Sequence, residues 1–307
     1  MKITVQDFTG VYDYQPFMQE LRKKAANSTD IRWLDCKKII GTDCYCDDEA
    51  IKEINTLIDN AENNTKSGIK SNTAPEIHFF DNGNYHYMSK LWTDRVQEPF
   101  SLIVFDHHPD MQPPRFGGIL SCGGWVKEVL DNNKFIQNIV IIGVKDDLVE
   151  TVCGELSQTG EASILDKVTF IKESELVAVT LEEAFRRPIG SMDSHLKVAM
   201  RTKATSCQVL SAIAALQFQN DMPLYISIDK DALAPAYAST NWDQGSLSTE
   251  MLKSFIASFA ASHKILGIDI CGERSRDFEG NELYSVHEAD AINNTLNYNL
   301  VNFLQSL

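Results

Sequence analysis

The chain has 307 residues, with 28 Lys and Arg against 43 Asp and Glu, giving a formal charge of −15. A hydrophobic fraction of 43% with 23% charged residues excludes collagen-like and disordered chains and indicates a soluble globular protein with a large core. The acidity argues against nucleic acid or an anionic membrane as partner, because both are held by clustered Lys and Arg, and leaves room for bound metal to neutralise part of the acid count.

The opening MKITVQDFTG lacks the apolar stretch of a secretory signal, and no window approaches the ~18 apolar residues of a membrane span. Seven cysteines, an odd number spread thinly, read as free thiols in a reducing cytoplasm. Cys44-Tyr45-Cys46, with Cys36 nearby, could hold a soft metal, but the chain has no second Cys or His pair at a zinc-site spacing. In chain order, apolar β-rich runs predict strands over 2–8, 31–36, 76–80, 101–105, 138–144, 168–172, 224–228 and 265–270. Several, such as SLIVF and NIVIIGV, are nearly continuous in apolar residues, as expected of parallel strands buried on both faces. A 3.6-residue period predicts helices over 47–61, 248–262 with Ser248 as N-cap, and 288–307. The Asn-, Lys- and Ser-rich stretch 60–73 reads as a surface loop. Strand–helix alternation of this length predicts one domain over 1–307, of the α/β class, with a mostly parallel sheet between helical layers. Ligands of such sheets bind beyond the carboxyl ends of the strands, so the residues after each apolar run matter most.

The run ending at Phe105 leads into Asp106-His107-His108-Pro109-Asp110. In extended chain, Asp106, His108 and Asp110 share one side. Alone, the stretch reads equally well as an acidic loop. The run ending at Ile228 then repeats the pattern with Asp229 and Asp231, and a third is followed by Gly83-Asn84-Tyr85-His86. Carboxylates and imidazoles gathered at buried strand ends repel one another and resist desolvation unless cations lie between them. Four Asp and two His match two divalent ions, with Mn²⁺, Fe²⁺ or Zn²⁺ favoured over Ca²⁺ by the imidazoles. Paired ions about 3.5–4 Å apart can hold hydroxide as a nucleophile at neutral pH.

These motifs resemble those of the ureohydrolases: arginase, agmatinase and formimidoylglutamase. The likeness rests on Gly-Asn-Tyr-His86, on Asp106-x-His108-x-Asp110, on Ser227-Ile228-Asp229-Lys230-Asp231-Ala232-Leu233-x-Pro235, on Gly245-Ser246-Leu247-Ser248-Thr249-Glu250 and on Ile142-Gly143-Val144-Lys145-Asp146, over about residues 76–273. The resemblance implies a three-layer α/β/α sandwich and a binuclear manganese hydrolase that cleaves a carbon–nitrogen bond of a guanidino, formimino or amide substrate. By position, His86, Asp106, Asp110 and Asp229 would bind one ion, and Asp106, His108, Asp229 and Asp231 the other. Asp106 and Asp229 would bridge, and Asp110 would pass a proton to the leaving amine. Related enzymes often form trimers or hexamers, so a homo-oligomer is compatible with the resemblance.

Departures from the family pattern bear on substrate. The loop after the second motif, where the family carries a His, reads Ser121-Cys122-Gly123-Gly124-Trp125. Where the family grips a guanidinium with Glu, this chain has Gly272, with Glu273 one residue further on. A one-residue slip on a strand reverses the face, so Glu273 can serve as a catalytic and substrate-binding carboxylate only if Gly272 re-aims it. Asn241, Trp242 and Asp243 are candidate substrate contacts, though Trp242 reads equally as a loop aromatic. His107 either supports the site or caps a neighbouring helix. Loss of these accessory groups also suits a non-catalytic or regulatory protein that keeps the metal site.

Overall fold

The computed structural model describes residues 1–64, 75–113, 116–178, 221–279 and 283–307. All eight predicted strands are present, with ends shifted by at most two residues. They are β1 (Ile3–Asp7), β2 (Ile31–Asp35), β4 (Glu76–Phe79), β5 (Phe100–Phe105), β7 (Ile136–Val144), β8 (Val168–Lys172), β9 (Leu224–Asp229) and β10 (Ile265–Cys271). They form one sheet in the order β2-β1-β4-β10-β9-β5-β7-β8, and every pairing is parallel. A separate antiparallel ribbon joins two strands too short for any periodicity to announce, β3 (Tyr45–Cys46) and β6 (Leu120–Ser121).

The near-continuous apolar strands have a physical reason: the sheet separates two cores, and the central strands β5, β7 and β9 feed both. Ile103 and Phe105 of β5, Val140 and Ile142 of β7, and Ile226 and Ile228 of β9 pack on one face. Leu102, Val104, Ile139, Ile141 and Tyr225 pack on the other. The first face is covered by α1 (Pro16–Ala25), α7 (Thr249–Ser262) and α8 (Val286–Gln305), through residues such as Met18, Phe255 and Leu300. The second is covered by α2 (Asp48–Asn64), α3 (Met88–Thr93), α4 (Trp125–Asn132) and α5 (Asp146–Thr159), through Ile54, Leu91, Val129 and Val152. The short α6 (Glu173–Ala178) follows β8. The fold is thus an α/β/α sandwich.

Ser248 caps α7 by accepting a hydrogen bond from the Met251 amide. α8 opens two residues earlier than predicted because Ser285 and Glu288 form a reciprocal capping box. The predicted loop over 60–73 is helical through Asn64, since the apolar stripe of Ile51, Ile54, Ile58 and Ala61 outweighs the weak helix propensity of the asparagines. Positions 65–73 lie outside the described residues. Among the described residues, no helix is long and apolar enough to cross a membrane.

Candidate metal centre

The carboxyl ends of neighbouring central strands carry the acidic motifs. β5 and β9 lie side by side with Phe105 level with Ile228, so Asp106 emerges beside Asp229. Asp231 follows in a single 3-10 turn, Lys230–Ala232, whose first amides are tied back when Asp231 N donates to Asp229 Oδ1 at 2.9 Å. His86 comes from the turn after β4, one strand beyond β10 in the sheet. Asp110 adopts φ 48°, in the left-handed region a side-chain-bearing residue rarely occupies, a strain of the kind that collects at functional sites.

All six predicted ligands meet at one place. His86, Asp106 and Asp110 form one group and Asp106, His108 and Asp231 a second, each with ligand atoms within 4.8 Å of one another. Asp106 belongs to both. His86 Nδ1 is 3.0 Å from Asp106 Oδ2, 3.0 Å from Asp110 Oδ2 and 3.6 Å from Asp229 Oδ2. His108 Nδ1 is 3.0 Å from Asp231 Oδ2 and 3.5 Å from Asp106 Oδ1. All but His108 are buried. They line a cavity of about 430 Å³ walled on one side by Trp242.

The electrostatics call for cations. Burial, then the neighbouring Asp231 charge, pushes the Asp229 carboxyl up to about 7. Burial and Asp106 raise Asp231 as well. Burial works to lower His86, but the Asp106 and Asp110 carboxylates close beside it prevail and raise it. His86 Nε2 meets Ser227 Oγ at 2.8 Å, and Ser89 Oγ is 2.8 Å from Ser227 Oγ, which fixes the ring with Nδ1 toward the carboxylates. Asp106 Oδ2 is buried and makes no well-aligned hydrogen bond, with His86 Nδ1 3.0 Å away. An acceptor left bare among acceptors is costly unless a proton or a metal ion sits between them. A third group, His86, Asp229 and Cys271, overlaps the first through His86, and the two carboxylate–imidazole groups that share Asp106 fit a pair of divalent ions.

The sequence model of the arginase family matches residues 78–273, which contain every one of these ligands. The chain belongs to the arginase family. An uncharacterized protein of Thermotoga maritima is 23% identical over 291 residues, covering 95% of this chain and 86% of that one. The agmatine ureohydrolase of Thermoplasma volcanium shares the fold with a TM-score of 0.55 at 13% identity, covering 99% of this chain and 89% of the other. An arginase-like protein of T. brucei, as a triple mutant bound with Mn²⁺, does so with a TM-score of 0.52 at 14% identity, covering 99% and 90%.

Against that family background, Glu273 is a correction. It does not face the cavity. Gly272 turns at φ 89°, and Glu273 then crosses to the other core, where it is ion-paired with Lys230 and neither side chain exposes any surface. Gln15 Nε2 donates to Glu273 Oε2 at 2.9 Å and Asn297 Nδ2 to Oε1 at 2.8 Å. A buried ammonium needs a counter-charge, and Lys230, one residue along from Asp229 and therefore on the opposite face, captures the carboxylate. Gly272 itself is indispensable there: a Cβ would sit 2.3 Å from Asp229 Oδ1.

The three loop candidates part company in this arginase-family chain. Trp242 lines the cavity, edge-on to His108, with Nε1 donating to Asn84 Oδ1 at 3.1 Å. Asp243 Oδ1 lies 3.0 Å from His108 Nε2, and its Oδ2 accepts from Lys145 at 3.1 Å. Asn241 is turned into a separate neighbouring cavity and donates to Ser275 Oγ at 2.9 Å, so it is not a contact of the metal pocket. His107 caps none of the described helices. Its amide donates to Asp231 Oδ1 at 3.1 Å and its Nδ1 meets the Gly143 carbonyl at 3.2 Å, which ties the ligand loop to β7.

Sequence reasoning missed three groups. Trp125 Nε1 donates to Asp110 Oδ2 at 2.7 Å, and Cys271 Sγ to Asp229 Oδ2 at 3.2 Å. Ser227, which orients His86, was readable by alternation, since it lies two residues before Asp229 on the same face.

Proposed function

We propose that the chain is a manganese-dependent binuclear hydrolase that cleaves a non-peptide carbon–nitrogen bond in a guanidino, formimino or amide substrate. What carries this reading is the pair of ligand groups that share Asp106 and line one cavity. His86, Asp106, Asp110 and Asp229 would hold one ion, and His108 and Asp231 with the same shared carboxylates would hold the other. When bound, the ions supply Lewis acidity, lowering the pKa of water toward neutrality and offsetting charge that develops during attack on an sp² carbon. Asp110 takes the proton that the attacking water gives up and returns it to the leaving amine. The Trp125 indole, donating to Asp110 Oδ2, holds that carboxylate toward the pocket. Ser227 and Ser89 hold His86, and Asp243 with Lys145 braces the outer nitrogen of His108. Trp242 closes one wall and limits water around the reacting carbon.

Stripping the full chain with a chelator and resupplying Mn²⁺ should restore about two ions per chain by elemental analysis. Asp229→Asn should lose most of them. Guanidines, formimino acids and N-acyl amines offered to the loaded protein should release urea, formamide or an amine. A wild-type protein that stays metal-free in excess Mn²⁺ defeats the proposal. The locked position of Glu273 favours a second reading, a metal-binding regulatory protein without turnover, and full loading with no product from any of the three classes would select it.

A further inference from the structure

Two of the cysteines meet at the rim of the metal pocket. The β3–β6 ribbon sets Tyr45 opposite Ser121 and Cys46 opposite Leu120, and Cys44 and Cys122 are the next residues out on the two strands. Past the strand ends Cys44 turns left-handed and Cys122 opens a 3-10 turn, and the Cys122 amide donates to the Cys44 carbonyl at 2.9 Å, which keeps the two residues side by side. A disulfide joins residues whose Cα atoms lie about 4.4–6.8 Å apart, and two residues tied by a direct backbone hydrogen bond lie within that reach. Both side chains are partly exposed and line the cavity, whereas Cys36, Cys46 and Cys271 are buried. Cys44 also sits at φ 59°, a left-handed conformation that an ordinary turn residue would avoid.

We propose that Cys44 and Cys122 are a peroxide-sensitive dithiol that closes to a reversible disulfide across the pocket rim. The Cys44 thiolate attacks one oxygen of hydrogen peroxide and the O–O bond breaks. Cys44 becomes a sulfenic acid, and the second oxygen leaves as hydroxide, which is protonated to water. Cys122, its thiol proton released to solvent, attacks the sulfenic sulfur; the S–O bond breaks and hydroxide again leaves as water. Two thiols and one peroxide thus yield one disulfide and two waters, the two sulfurs together giving up the two electrons that peroxide accepts. The order of attack follows from the contact between the thiols. The hydrogen bond from Cys122 lowers the Cys44 thiol below its ordinary value, and the same bond raises Cys122, which suits Cys44 as attacker and Cys122 as resolver. Tyr45, Ser121 and Gly123 line the same cavity, so the bond pins a stretch of its rim. None of this depends on the hydrolase reading.

The test is peroxide treatment of the purified full chain, alkylation of remaining thiols, digestion without reductant and mass spectrometry. The expected main product is a peptide pair joined through Cys44 and Cys122, absent from a sample reduced with dithiothreitol. In Cys122→Ser, Cys44 should accumulate as a dimedone-reactive sulfenic acid; in Cys44→Ser, Cys122 should stay alkylatable. The wild-type peptide map needs no variant and decides the matter alone. The proposal fails if Cys44 and Cys122 remain alkylatable while partly exposed Cys153 oxidises, or if they proceed separately to sulfinic acids without the linked peptide.

Discussion

Glu273→Gln isolates the correction that matters most for the site. The substitution removes the negative half of an ion pair in which both side chains are fully buried. It leaves the Lys230 ammonium beside a neutral amide, and it leaves Gln15 Nε2 and Asn297 Nδ2 converging on a group with one acceptor oxygen instead of two. Stranding one partner of a buried pair costs about 3–5 kcal/mol, because the remaining charge keeps its desolvation penalty and loses its compensation. For a chain of this size that corresponds to a melting temperature lower by roughly 5–15 °C. The assay is urea and thermal unfolding of the Mn²⁺-saturated protein, with metal content measured in parallel. The double substitution Lys230→Met with Glu273→Leu should recover most of the loss, since a well-packed apolar pair replaces a buried ion pair at little cost. Unchanged stability in Glu273→Gln together with abolished turnover would refute the reasoning and return Glu273 to the pocket as a substrate contact.

Gly272→Ala should lower stability by about 1–3 kcal/mol through its backbone conformation alone, and it should also reduce metal retention after dialysis, because the new Cβ must push Asp229 aside; full retention would mean that the end of β10 yields instead. His78, stacked on Trp92, bonded to Asp269 and faced by Tyr225, Glu76 and Arg32, is held below its usual value of 6.5, mainly by burial. The unfolded chain therefore binds a proton that the folded chain refuses. Stability from neutral His78 is fully present above pH ~6.5 and declines as pH falls below it, with a slope of up to about 1.4 kcal/mol per pH unit from this one group. Urea titrations between pH 5 and 8 should find that slope reduced in His78→Gln; an identical slope in both proteins would remove His78 as its source.

The strands were readable because the sheet is buried on both faces, which writes each central strand as an unbroken apolar run such as Leu102-Ile103-Val104-Phe105. The ligands were readable because Asp106 and Asp229 directly follow those runs. The alternation argument was sound inside β9, where Ser227 and Asp229 share a face. It did not describe Asp110, which lies past the end of β5 in a left-handed conformation and reaches the site by a turn. The direction of Glu273 was hidden for another reason: it depends on one backbone angle at Gly272 and on a Lys 43 residues away. Trp125 and Cys271 were hidden because an indole or a thiol next to a carboxylate leaves no spacing signature. The β3–β6 ribbon was hidden because two residues make no period.

The ligands ride on the interior of the sheet, with β9 and β5 adjacent and β4 and β10 beside them, while β2 and β8 form its margins. Margins fray first, and the opening of an outer strand disturbs none of the six donors. Amide exchange would therefore be slowest where the chemistry sits, and the cluster would come apart only when the molecule does. Ions bound at such a centre would have no partly unfolded escape route: release through the mouth of the cavity and global denaturation would be the two ways out.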